Sequence, residues 1–159
     1  MGLKSASISE IKKELSHLNE VELLELCLKL AKYKKENKEL LSYLLFDAQQ
    51  ELQFIENAKE EITLIFDQIN TSNSYLAKKT IRKALKYVRK YAKYAGLAST
   101  EIILTSYFCK LILDSGLVLT QNTALHNLYL NQVKRIEKLI ASLHEDFRGD
   151  FEEYLSDLV

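Results

Sequence analysis

Proline and tryptophan are absent from this chain, methionine occurs once, and glycine stands at only four positions, 2, 96, 116 and 149. Close-packed all-β folds need turn formers between every pair of strands, and a chain this poor in them excludes that class. Excess charge of either sign is missing too, because 22 Lys and Arg balance 22 Asp and Glu. No global field draws the molecule towards nucleic acid or acidic membrane, so any electrostatic function has to be local. The most apolar stretch, Ile102–Leu119, is interrupted by Lys110 and Asp114 and cannot make a transmembrane helix. The opening MGLKSAS has no apolar signal core, and Ala6 stands where a myristoylation pattern wants Ser or Thr.

What is abundant is Leu, Lys, Glu and Ala, the strong helix formers. At 159 residues, 47% apolar and 28% charged, the chain has the balance of a globular protein with one real core. The composition predicts an all-α fold of seven or eight antiparallel helices in a single domain over 1–159. Two arrangements fit, a helical bundle or a short α-solenoid. Cys27 and Cys109 lie at interior-type positions of LLELCLKL and SYFCKLIL. They predict buried free thiols rather than a disulfide, hence a reducing compartment, and cytoplasm is the expected location.

Helix punctuation is legible. Ser7-x-x-Glu10 and Asn19-x-x-Glu22 have capping-box spacing and predict helices over 8–16 and 20–33. A third helix starts near Glu36 and either continues into, or kinks before, a long helix at 48–69. NTSNS (70–74) is a break. A basic helix over 75–95 ends at Gly96, a helix over 100–114 is capped by Ser99, another spans 122–146, and Gly149 separates a tail helix at 150–158. The expected core includes Leu23, Leu26, Leu30, Leu44, Leu45, Phe54, Ile62, Phe66, Ile81, Leu85, Val88, Ile103, Leu111, Leu128 and Ile136.

The basic helix carries the one functional signal. KKTIRKALKYVRKYAKYAG holds eight cations, three tyrosines and no acid. On a helical wheel Lys78, Lys79, Arg82, Lys83, Lys86, Arg89, Lys90 and Lys93 fall within an arc of roughly 140°, opposite Ile81, Ala84, Leu85, Val88, Ala92 and Ala95. The stripe is about 22 Å long. Along its edge Lys83, Tyr87, Lys90 and Tyr94 form an i, i+4, i+7, i+11 ladder. Lysine beside tyrosine suits surfaces that pair phosphates with stacked bases, and tyrosine also borders cores with its hydroxyl kept wet.

Three readings of that stripe compete. The segments on either side, 47–74 and 141–159, each carry a net of −5, so the charge can be balanced inside the molecule by the acidic helix before it. In that case a Lys83, Lys86 and Lys90 to Glu variant sets like charges against Glu56 or Glu60 and lowers the melting temperature. Nucleic acid is the second reading, with Lys79, Arg82, Lys83, Lys86, Tyr87, Arg89, Lys90, Lys93 and Tyr94 as binding residues. An acidic protein or membrane surface is the third, although an alanine-rich apolar face inserts weakly into lipid.

Nothing else in the chain points to chemistry. Glu14-x-x-His17 is half of a di-iron bundle motif without its second half, His126 sits one turn from Tyr129, and His144, Glu145 and Asp146 point in different directions on a helix. No phosphate-cradling glycine loop, nucleophile elbow or Cys-x-x-Cys pair occurs. The sequence therefore predicts a non-enzymatic protein with no metal, cofactor or small-molecule substrate. Its role is interaction or scaffolding through a protein partner or self-association, with nucleic-acid binding through residues 78–93 as the alternative.

Two stretches carry a family resemblance. ISEIKKELSHLNEVELLELCLKLAKYKKENKELLSYLL, and KALKYVRKYAKYAG with ILTSYFCKLILDSGLVL and LYLNQVKRIEKLIASL, resemble a group of uncharacterised bacterial helical proteins. The resemblance implies a bacterial cytoplasmic helical domain and carries over no site residue.

Overall fold

The computed structural model describes residues 4–120 and 123–158. Its elements are α1 (Ile8–Leu15), α2 (Glu20–Tyr33), α3 (Lys35–Ser42), a π-helical segment (Tyr43–Asp47), α4 (Glu51–Phe66), α5 (Ser74–Ala95), α6 (Ala98–Asp114), α7 (Ala124–Ser142) and α8 (Glu145–Ser156). Helix takes up 79% of the described residues and none of them is in a strand, so the all-α expectation holds. The contacts fall into two compact units, one ending at Leu45 and the other beginning at Phe46.

In the first unit both capping boxes form. The Ser7 backbone N–H donates to the Glu10 carboxylate at 2.7 Å, and the Glu10 N–H donates to Ser7 Oγ at 3.3 Å. The Ser7 backbone N–H, and the Ser7 hydroxyl donating to the same carboxylate at 2.8 Å, hold the Glu10 carboxyl below its usual range. Asn19 and Glu22 make the same exchange at 2.9 and 3.0 Å. Lys34, in extended conformation, separates α2 from α3 by a single residue. Lys34 is thus the boundary expected between the second and third helices. Of the two courses open to the third, it breaks before α4, passing through the π-helical segment into non-helical residues 48–50.

Three short helices cannot enclose much apolar surface. Leu26, Leu30, Leu44 and Leu45, all expected in the core, are 39%, 61%, 56% and 65% exposed. Leu23 is half-buried, and Cys27, expected buried, is exposed.

The second unit is built around α6. A helix apolar on every side belongs inside, and α6 buries Ile102, Leu104, Thr105, Phe108, Cys109 and Ile112 among others. Helices α4, α5, α7 and α8 all pack on it. Contacts between α4 and α6, and between α6 and α8, skip over a helix in the sequence. With four helices gathered on one central helix, the unit is a helical bundle. Phe66 meets Phe108 edge-on at 5.8 Å, and Thr63 Oγ1 shares a 2.6 Å hydrogen bond with the Tyr107 hydroxyl. Of the expected core, Phe54, Ile62, Phe66, Ile81, Leu85, Val88 and Ile136 are buried, and Ile103, Leu111 and Leu128 are half-buried against them. Burial raises the Cys109 thiol to about 12.

Several boundaries differ from expectation. Helix α6 starts at Ala98 with Leu97 in the cap position, so Ser99 lies inside it. The expected start at 122 lies outside the described residues, and the helix ends at Ser142, not 146. Gly149 sits within α8 and separates nothing. The break falls at Leu143–His144 because Arg148 reaches back to the end of α7, donating to the carbonyls of Leu143 and Ala141 at 3.0 Å each. Those are the orphan acceptors of a helix end, and a guanidinium satisfies two at once.

Candidate functional site

Helix α5 is placed by its ends and its small residues. Asn73 Oδ1 accepts from the backbone of Tyr75 and Leu76 at 3.0 and 3.1 Å, which starts the helix. Gly96 stops it in left-handed conformation, φ 66°, where a residue with a Cβ is strained. Ala77, Ile81, Ala84, Leu85, Val88 and Ala92 face the core. The opposite arc is therefore turned to solvent.

On that arc Lys79, Arg82, Lys83, Lys86, Arg89 and Lys93 are exposed, and Lys78, Tyr87, Lys90 and Tyr94 are half-buried. Among the described residues no carboxylate lies within 4.0 Å of any of those six exposed cations. Two of the nearby α4 acids are engaged elsewhere, and Glu60 is exposed without reaching the stripe. Glu56 pairs at 2.7 Å with Lys59 on its own helix, and Glu61 accepts the Tyr91 hydroxyl. The two helices are neighbours, as the sequence predicts, but ion pairs between them do not cover the stripe.

Its two edges differ. The edge towards α4 is a closed aromatic border. Tyr87, Tyr91 and Tyr94 meet edge-to-face with centroids 6.1 and 6.4 Å apart, and Phe54 abuts Tyr91 at 6.0 Å. The Lys90 ammonium lies 4.5 Å from the Tyr87 centroid and 4.8 Å from that of Tyr91. Rings already under a cation are poor platforms for stacked bases. Tyr91 lies outside the set of predicted site residues, although its place one turn after Tyr87 is readable.

The other edge borders a groove. Helices α5 and α7 each pack on α6 but not closely on one another. Two adjoining cavities of about 650 and 500 Å³ lie between them and share Leu85, Arg89, Asn131 and Gln132. Arg82, Lys86, Arg89 and Lys93 wall one side, with Asn127, Asn131 and Arg135 opposite. Arg135 is held by Glu101 through two bonds of 2.6 and 2.9 Å, which raises its guanidinium above its usual range. Sequence reasoning misses the groove, because its far wall lies some forty residues away along the chain.

The histidines are apart from this site. His17 follows α1, its backbone N–H donating to the Glu14 carbonyl at 3.1 Å. His126 opens α7 with its backbone donated to Thr123, and its buried Nδ1 has no partner among the described residues. His144 caps α8, accepting from the Asp146 N–H at 3.4 Å. Among the described residues no group of three or more His, Cys, Asp or Glu is placed to hold a metal ion, and no helix is long and apolar enough to cross a membrane. Comparisons with protein families, with characterised proteins and with solved structures find no match to this chain, so the resemblance to bacterial helical proteins gains no family from them.

Proposed function

We propose that the protein is a non-enzymatic interaction or scaffold protein that meets an anionic partner along the cationic face of α5. The observation that carries this reading is the row of six exposed cations without carboxylate partners among the described residues. Like charges one turn apart destabilise a helix by about 0.2–0.5 kcal/mol per pair. A stripe that retains that repulsion, with two of the nearby acids turned to other partners, suits a surface that an external anion completes. No catalytic residue, metal or cofactor enters the proposal. The family resemblance and the free thiols support a bacterial, cytoplasmic setting.

Nucleic acid is the second reading, favoured by the roughly 22 Å length of the stripe. The closed tyrosine edge directs it to phosphates rather than bases. Four or five phosphate contacts give a log–log salt slope of about −4 for duplex DNA. Titrating the full chain with a polyglutamate and with a 20-base-pair duplex, at two salt concentrations, tests both readings. Salt-sensitive binding to either, lost on combined Lys83→Glu and Lys86→Glu, supports an anionic partner. Absence of binding to both at low salt refutes it.

A further inference from the structure

The groove beside α5 combines features that a purely phosphate-binding surface does not need. Arg82, Lys86, Arg89 and Lys93 fall at i, i+4, i+7 and i+11 and form one continuous rim. Below them Leu85, Val88 and Ala92 of α5 line a buried base beside Thr105 and Gln132. The apolar surface of the floor left open is Leu97, 47% exposed, at one end and Ala124 with half-buried Leu128 at the other. The facing wall offers neutral amides, Asn127 and Asn131. The sole carboxylate in the lining, Glu101, is already bound to Arg135.

We propose that this groove docks an acidic amphipathic α-helix of a partner protein, an inference that rests on the anionic-partner reading above. A trough between two helices with a third beneath is the setting in which an amphipathic helix lays its apolar ridge. From Arg82 to Leu97 the rim and floor run about 22 Å, the length of a helix of about 15 residues. A leucine ridge at i, i+3, i+4 and i+7 covers the floor, and carboxylates on one flank meet the rim. The stems of the rim lysines and arginines lie along the apolar ridge while their heads stay on the acids. A nucleic acid backbone matches the rim but leaves the floor uncovered, and the rings that could take its bases lie on the far edge under Lys90.

The experiment uses the full chain and three labelled probes read by fluorescence anisotropy. These are a 16-residue helical peptide with a leucine ridge and glutamate flanks, a peptide of the same composition with the leucines scattered, and a 20-nucleotide oligothymidylate. The ridged peptide is expected to bind at least about tenfold tighter than the scattered one, the equivalent of ~1.4 kcal/mol. Combined Arg82→Glu and Arg89→Glu on the rim should lose that tenfold. So should Leu97→Asp, since aspartate suits a helix cap position and leaves α6 intact. Lys29→Glu with Lys32→Glu, exposed on α2 and outside the stripe, should change the ridged peptide's affinity by no more than about threefold. Melting curves confirm that each variant folds. Equal binding of the two peptides, tighter binding of the oligonucleotide, or indifference to Leu97→Asp overturns the groove while leaving an anionic partner standing. Failure of every probe overturns both.

Discussion

Reversing the charge of Lys83 tests whether the stripe is unpaired. One turn away on either side stand Lys79 and Lys86, at i−4 and i+3, and all three are exposed. Each like-charge pair at that spacing costs about 0.2–0.5 kcal/mol, and each opposite pair gains a similar amount. Lys83→Glu converts both pairs from repulsion to attraction, so the helix should gain about 1 kcal/mol at low ionic strength. For a unit of this size that corresponds to a melting temperature about 3–6 °C higher. Lys83→Gln removes the repulsion without adding attraction and should rise about half as far. Both gains should shrink in ~0.5 M salt, where the screening length drops to a few ångströms. Circular dichroism melts of the three proteins at low and high salt measure this. Had α4 carboxylates neutralised the stripe, the same substitution would set the introduced carboxylate against them. A fall in melting temperature at low salt, erased by salt, refutes the unpaired stripe.

Three further outcomes follow from packing and ionisation. Phe108→Ala removes a fully buried ring that meets Phe66 edge-on and should cost about 3–5 kcal/mol in urea unfolding; a loss under about 1 kcal/mol would deny α6 its central place. The Cys109 thiol, raised by burial to about 12, contributes stability that is complete below pH 9 and drains away as pH climbs towards 12, because the unfolded chain gives up that proton first. By pH 10.5 wild type should therefore lose about 2 kcal/mol more than Cys109→Ala does over the same span, and parallel stability curves would contradict this. Arg148→Ala frees two carbonyls at the end of α7 and should speed amide exchange in α8 by tenfold or more, given ~1.5–3 kcal/mol for hydrogen bonds to a charged group; unchanged exchange there with normal core protection would show that another group ends α7.

Where the sequence could be read, the signal was local. Ser7 and Glu10, Asn19 and Glu22, and Gly96 after a periodic run each specify a helix end through atoms within one turn. The structure places a cap at all three. The α7–α8 break escaped because its determinant, Arg148, acts on carbonyls five and seven residues back, and no motif marks that reach. Gly149 drew the break instead, yet no neighbouring atom lies within 4 Å of where a Cβ would stand. Leucine periodicity in α2 and in the π-helical segment after α3 marked Leu26, Leu30 and Leu44 as core. Periodicity reports which side of a helix is apolar, and it is silent on whether a unit of three short helices has enough mass to cover that side.

The candidate site shows the same limit more sharply. Segment charges predict attraction between α4 and α5, and the two helices do pack together. Net charge, however, does not say where each carboxylate turns. Glu56 finds a cation one turn along its own helix, which costs less side-chain ordering than a cross-helix pair between two long chains. Glu61 takes the Tyr91 hydroxyl, and Lys90 takes the faces of Tyr87 and Tyr91. These local satisfactions close the edge of α5 nearest the acids and leave Arg82, Lys86, Arg89 and Lys93 along the other. A charge balance that sums to zero over the chain is thus compatible with an uncompensated row of cations, because compensation depends on distances of about 4 Å and not on totals.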